Sequence, residues 1–123
     1  MSLPEINITM IAITLIFICL DVITGLIQAI KNKTFDSTKM RVGLWHKCGF
    51  LLAISLGVVC EWSIGIVDLG FTVPIQTPVC AFICLTELAS ILENLGEITP
   101  ELTNNKFMEI FKRARNDDND IRE

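Results

Sequence analysis

The sequence predicts an all-α integral membrane protein: three transmembrane helices, N-terminus out and C-terminus in, then a short cytoplasmic amphipathic helix and an acidic tail. Three observations lead there. The 123 residues are 51% hydrophobic, and the 20% that are charged are unevenly placed. Residues 6–20, 48–60 and 69–86 carry no charge, whereas a soluble domain of this size spreads charge over its outward helix faces. All ten Lys and Arg lie in two stretches, 31–47 and 106–122, and three spans put both on one side of a membrane. The length allows one domain. The composition excludes intrinsic disorder and a basic nucleic-acid-binding domain, so no nucleic-acid partner is expected.

A helix crossing about 30 Å of hydrocarbon needs about 20 apolar residues. Span one is placed at residues 6–30, where Asp21 is the one charge. The leader Met1-Ser2-Leu3-Pro4-Glu5 lacks the basic region of a secretory signal. Ser2 and Glu5 fit a capping box with Pro4 in the first turn, so the helix is expected to start almost at the first residue.

Span two is placed at 48–67, with Glu61 as its one charge. It forms the end of one long helix over 38–67, capped by Asp36 or Ser37. Trp45 and Trp62 are 17 residues apart, about 25 Å at 1.5 Å per residue. One then sits near each interface, where Trp is enriched. His46 reads as an interfacial polar residue. Asp68-Leu69-Gly70 reads as a turn.

Span three is placed at 75–96, so that Pro74 and Pro78 fall before or within its first turn, where a missing N–H matters least. Residues 103–115 are predicted as an amphipathic helix. Phe107, Ile110, Phe111 and Ala114 form its apolar stripe among Lys106, Lys112, Arg113 and Arg115. Residues 1–115 make a single membrane domain, and the acidic 116–123 is expected to be disordered.

Charge placement sets the orientation. With the basic loop and basic tail inside, Lys31, Lys33, Lys39, Arg41, Lys47, Lys112, Arg113 and Arg115 face anionic lipid at the cytoplasmic surface. Trp45 and Trp62 complete the membrane-surface set.

Polar residues inside the spans form stripes. In span one, Asn7, Thr14, Asp21 and Gln28 recur every seven residues, and Thr24 widens that face. In span three, Glu87, Ser90, Glu93 and Asn94 build a broad polar face. In span two, Gly49, Ala53, Gly57, Glu61 and Gly65 recur every four residues, a spacing that lets helix backbones approach closely. An ionised carboxylate facing lipid costs at least about 2.5 kcal/mol. No basic residue lies within the proposed spans to pair with Asp21, Glu61, Glu87 or Glu93. A homo-oligomer whose polar seams meet is therefore the expected solution. The seams serve either as polar glue between helices or as the lining of a water-filled pore.

Catalysis finds no support: GxSxG, HExxH and a phosphate-binding glycine loop are all missing. Five cysteines with no CxxC, beside one histidine, predict no zinc site, and no cofactor is expected. The thiols read as small apolar packing groups.

Two blocks carry a family resemblance. Asp21-Val-Ile-Thr-Gly-Leu-Ile-Gln-Ala-Ile-Lys-Asn-Lys33, followed by Ser37-Thr-Lys-Met40, Gly43-Leu44 and Lys47, resembles the phage holins of the toxin-secretion and lysis class. Glu87-Leu-Ala-Ser-Ile-Leu-Glu-Asn-Leu95 is similar to the family's second hallmark. The resemblance covers roughly residues 10–100. Many relatives have a Gly-aliphatic-Pro turn after this block, where this chain has Gly96-Glu-Ile-Thr-Pro100. The resemblance implies a protein of the bacterial cytoplasmic membrane that oligomerises and at a set time opens a lesion. Endolysin or a large toxin then crosses as cargo without tight binding. Three spans with the N-terminus out match the class I holin arrangement. The alternatives are an antiholin-type regulator, which co-assembles with a holin, and a narrow ion channel subunit.

Overall fold

A computed structural model describes residues 6–104, together with Glu109 and Arg113. The capping box expected at Ser2–Glu5, most of the 103–115 helix and the 116–123 tail lie outside the described residues.

Helix α1 spans Ile8–Lys31. It starts later than its hydropathy suggests, because the Asn7 side chain accepts a hydrogen bond from the Met10 N–H at 3.1 Å. Asn7 is thus the cap of α1, and residues 6 and 7 are not helical. The expected start at the first residues is corrected accordingly, and Asn7 stands at the head of the polar stripe as an exposed cap.

Helix α2 spans Ser37–Val67. Asp36 caps it, accepting from the Thr38 N–H at 2.9 Å. Its 31 residues are about 46 Å long at 1.5 Å per residue, well beyond the ~30 Å hydrocarbon layer. Asp68 ends it in the left-handed conformation (φ 49°), and Gly70 turns the chain at φ 77°. Asp68 also accepts the Gly70 N–H at 3.3 Å.

Helix α3 spans Gln76–Ile98, and a single turn, α4, follows at Glu101–Asn104. Pro78 is the third residue of α3, where its absent N–H leaves no ladder bond unmade. All three long helices are long and apolar enough to cross a membrane. Among the described residues there is no strand.

Cross-helix contacts fix the arrangement. Thr14 meets Cys84, Thr24 meets Asn94, and Lys31 meets Ile98. The order is the same on both helices, so α1 and α3 run parallel, and α2 runs back between their ends. Helix α3 packs extensively on α1 and less extensively on α2, while α1 and α2 scarcely touch. The apolar core is small: Ile18, Ile54, Cys80 and Ile83, with Met10, Ile11, Phe50 and Val79 around them. Leu52, Leu56, Phe82 and Leu85 stand on the outside. Helices apolar on their outer faces as well as their inner ones suit a lipid surround.

Candidate functional site

The charged residues of the spans converge. Lys47, the eleventh residue of α2, sends its ammonium to the Oδ2 of Asp21 on α1 and to the Oε2 of Glu87 on α3. One side chain from each long helix thus enters a single ion cluster. Glu87 is 2% exposed, and the Lys47 and Asp21 side chains are 13% and 12% exposed. The other Asp21 oxygen accepts from the Asn94 amide at 3.2 Å. That amide also lies 3.1 Å from the Thr24 hydroxyl. Thr24 in turn donates to the Leu20 carbonyl at 2.8 Å.

This corrects the expectation that the carboxylates lack a base. Lys47 stands one residue before the apolar run, and its flexible four-carbon stem carries the ammonium inward instead of down to the surface. Burying ions is tolerated when they pair and hydrogen-bond. Lys47 is therefore no surface residue. Asp21 and Glu87 share one counter-ion, and the cluster carries one ammonium against two carboxylates.

Beside it, α1 and α2 stand apart, leaving an open groove of about 350 Å³. Gln28, Ser90 and Asn94 line it together with Lys39 and two members of the ion cluster, Asp21 and Lys47. Gln28 and Ser90 are half-buried, whereas Glu93 is exposed and joins no cluster. Thr14 is fully buried, donating to the Met10 carbonyl at 2.8 Å and lying 3.4 Å from the Cys84 sulfur.

A second polar contact lies toward the other end of α2. The residue at the head of α3, Ile75, supplies no side-chain cap. Glu61 takes that role from the neighbouring helix: its Oε1 accepts the N–H groups of Ile75 and Gln76 at 2.6 and 2.9 Å. Its Oε2 accepts from the Gln76 side-chain amide. A carboxylate there satisfies donors that the helix ladder cannot and meets the positive end of the helix dipole. The sequence signal was a helix start with no Ser, Thr, Asp or Asn at its cap position.

The small-residue row of α2 divides. A Cβ on Gly57 would lie 3.6 Å from the Gln76 Cα, so the close approach is to the chain's own α3. Gly49 and Gly65 have open space around them, and Ala53 is half-buried.

Lys31, expected at the lipid surface, is exposed, and its ammonium reaches the Glu97 and Ile98 carbonyls at the end of α3. The Asn32 amide donates to Glu97 at 3.3 Å. Lys33, Lys39, Arg41, Trp45, Trp62 and Arg113 are exposed, while Lys112 and Arg115 lie outside the described residues. No group of three or more His, Cys, Asp or Glu able to hold a metal is found among the described residues.

The sequence model of the bacteriophage holin family matches residues 6–113. The chain belongs to that family. It is a family of membrane pore-forming proteins, not of enzymes, and its members act in phage lysis. No curated protein and no solved structure matches this holin. The match runs through all three apolar helices and includes Asp21, Lys47 and Glu87.

Proposed function

We propose that this chain is a holin in action as well as in ancestry: it accumulates in the bacterial cytoplasmic membrane, oligomerises, and opens a lesion through which endolysin or a large toxin crosses. The supporting observation is the ion cluster of Asp21, Lys47 and Glu87, set between three helices whose outer faces are apolar. Ionisable groups within the spans of a membrane protein are functional-site candidates by default. The orientation in this reading is N-terminus out and C-terminus in, the class I arrangement, from the placement of all ten Lys and Arg. The stripe of Phe107, Ile110, Phe111 and Ala114 lies on the inner membrane surface, with Lys112, Arg113 and Arg115 toward anionic headgroups.

One observation favours a second reading. The seam residues Thr14, Asp21, Thr24, Glu87 and Asn94 find partners inside one chain. A chain that satisfies its own seam is suited to an antiholin, which holds a partner closed. A narrow ion channel is the remaining alternative. Expression alone in a bacterium separates the three. The holin reading expects growth to halt abruptly after a lag, with release of a folded cytoplasmic reporter. Harmless accumulation would identify a regulator, and depolarisation with retained reporter a narrow channel. Asp21→Leu, at equal membrane abundance, is expected to insert as well as the parent and release little reporter.

A further inference from the structure

The three helices are not joined equally. Helices α1 and α3 are tied at several levels: Thr14 to Cys84, Thr24 and Asp21 to Asn94, Asn32 to Glu97, and Lys31 to the last carbonyls of α3. Helix α2 is held differently. Its polar ties to the pair are Lys47, which bonds Asp21 and Glu87, and Glu61, which bonds the head of α3. Among the described residues, Lys47 to Asp21 is the one hydrogen bond from α2 to α1. Between these ties lies the packing of Ile54 in the small core and of Gly57 against Gln76. Toward the basic end, α2 already stands off from α1 across the groove.

We propose that the face of the α1–α3 pair covered by α2 is the self-association surface, and that its occupant in the assembly is α2 of a second copy. The inference rests on the holin reading and specifies how copies join. The chemistry is complementary in trans because it is complementary in cis: an ammonium on α2 meets two carboxylates on the pair, and a carboxylate on α2 meets the head of α3. No buried charge is left unpaired in either arrangement, so the exchange avoids the penalty that opposes separating the cluster in lipid. Exchanging an identical element between copies is a low-cost route to assembly. If each copy gives its α2 to the next, the contact is head-to-tail. Such contacts build rings or open chains without a fixed number of members. The groove, with Gln28 and Ser90 in its wall, is where polar surface is already open at the α1–α2 boundary.

Single cysteines in two co-expressed, cysteine-free copies test this. One copy carries Gly57→Cys, the other Gln76→Cys with an added tag, and disulfide formation is driven by copper phenanthroline. The Gly57 Cβ position lies 3.6 Å from the Gln76 Cα, within reach of a disulfide. Because neither copy can crosslink internally, a mixed dimer reports exchange alone. It is expected at background level early after induction and as the dominant crosslinked band once growth halts. The α1–α3 contact, probed with Thr14→Cys in one copy and native Cys84 in the other, is expected to stay at background throughout. Should Gly57→Cys or Gln76→Cys fail to accumulate, Ile54→Cys paired with native Cys80 repeats the test from the same buried cluster. A mixed dimer that never rises above background in lysing cells overturns the exchange and leaves the holin reading intact. So does equal crosslinking of the Thr14 and Cys84 copies. Wild-type cells that never release the reporter defeat the holin reading itself.

Discussion

Replacing Lys47 by Met removes the one ammonium of the cluster and keeps the length and apolar stem of the side chain. Two carboxylates then remain, one of them 2% exposed, with like charge and a single amide donor on Asp21. Taking one partner out of a buried ion pair costs about 3–5 kcal/mol, two to four powers of ten in the folded-to-unfolded ratio at about 1.4 kcal/mol per tenfold. Neutralising a carboxylate has a smaller consequence. With both acids ionised the cluster sums to −1, so Asp21→Asn or Glu87→Gln would leave a neutral Lys–carboxylate pair. Each is expected to cost no more than about 1 kcal/mol, the usual net worth of one hydrogen bond. The triple variant Asp21→Asn, Lys47→Met, Glu87→Gln removes all three charges and is expected to recover most of what Lys47→Met loses, as neutral replacements of buried ion triads do. Loss of helical circular dichroism in dodecylmaltoside micelles with rising SDS fraction ranks the four variants against the parent. A Lys47→Met protein as resistant as the parent would refute the cluster as a structural element. Equal losses from Lys47→Met and Glu87→Gln would refute the charge arithmetic.

Three further outcomes are expected. Reporter cysteines at positions 2 and 70 label from outside intact cells before any lesion, and those at 36 and 118 do not; external labelling at 36 reverses the orientation. Gly57→Ala is tolerated, since its Cβ meets Gln76 at an ordinary 3.6 Å, whereas Gly57→Leu pries α3 from α2 at about 1–3 kcal/mol in the same SDS titration, with insertion unchanged. Glu61→Ala leaves the Ile75 and Gln76 N–H groups without their acceptor, for about 1–3 kcal/mol, and amide exchange at the head of α3 speeds up; protection equal to wild type would show that the Glu61 contact contributes nothing.

Much of the architecture could be read from the chain because it is written locally. Apolar run length locates three helices, Asp36 announces the start of α2, and Asp68 with Gly70 announces its end. The seven-residue spacing reads Asn7 as a stripe residue, while the first-turn cap is expected at Ser2. The backbone donors of the first turn make Asn7 the cap. The pairings were harder to foresee. Lys47 directly precedes the uncharged run of span two, so apolar run length alone hides the counter-ion that it provides. Glu61 lies 14 residues from the N–H group it caps, and only the antiparallel return of α3 brings them together. The charge of Lys31 likewise gives no sign that its ammonium also meets the last carbonyls of a parallel neighbour.

The ion cluster also imposes a timetable on synthesis. Asp21 precedes Lys47 by 26 residues, and Lys47 precedes Glu87 by 40. At about 5–20 residues per second, the first carboxylate is made roughly one to five seconds before its ammonium. Until Lys47 follows it into the membrane, α1 carries an unanswered acid, a burden of about 2.5–3.5 kcal/mol at a helix centre, which the strong apolarity of its other residues offsets. Lys47 then arrives as the base for Asp21. Glu87, the most deeply enclosed of the three, is made last, when both other members already exist to receive it. Of the two acids, the order of the helices along the chain therefore gives the less shielded position to the one that must wait, and the more shielded to the one that need not.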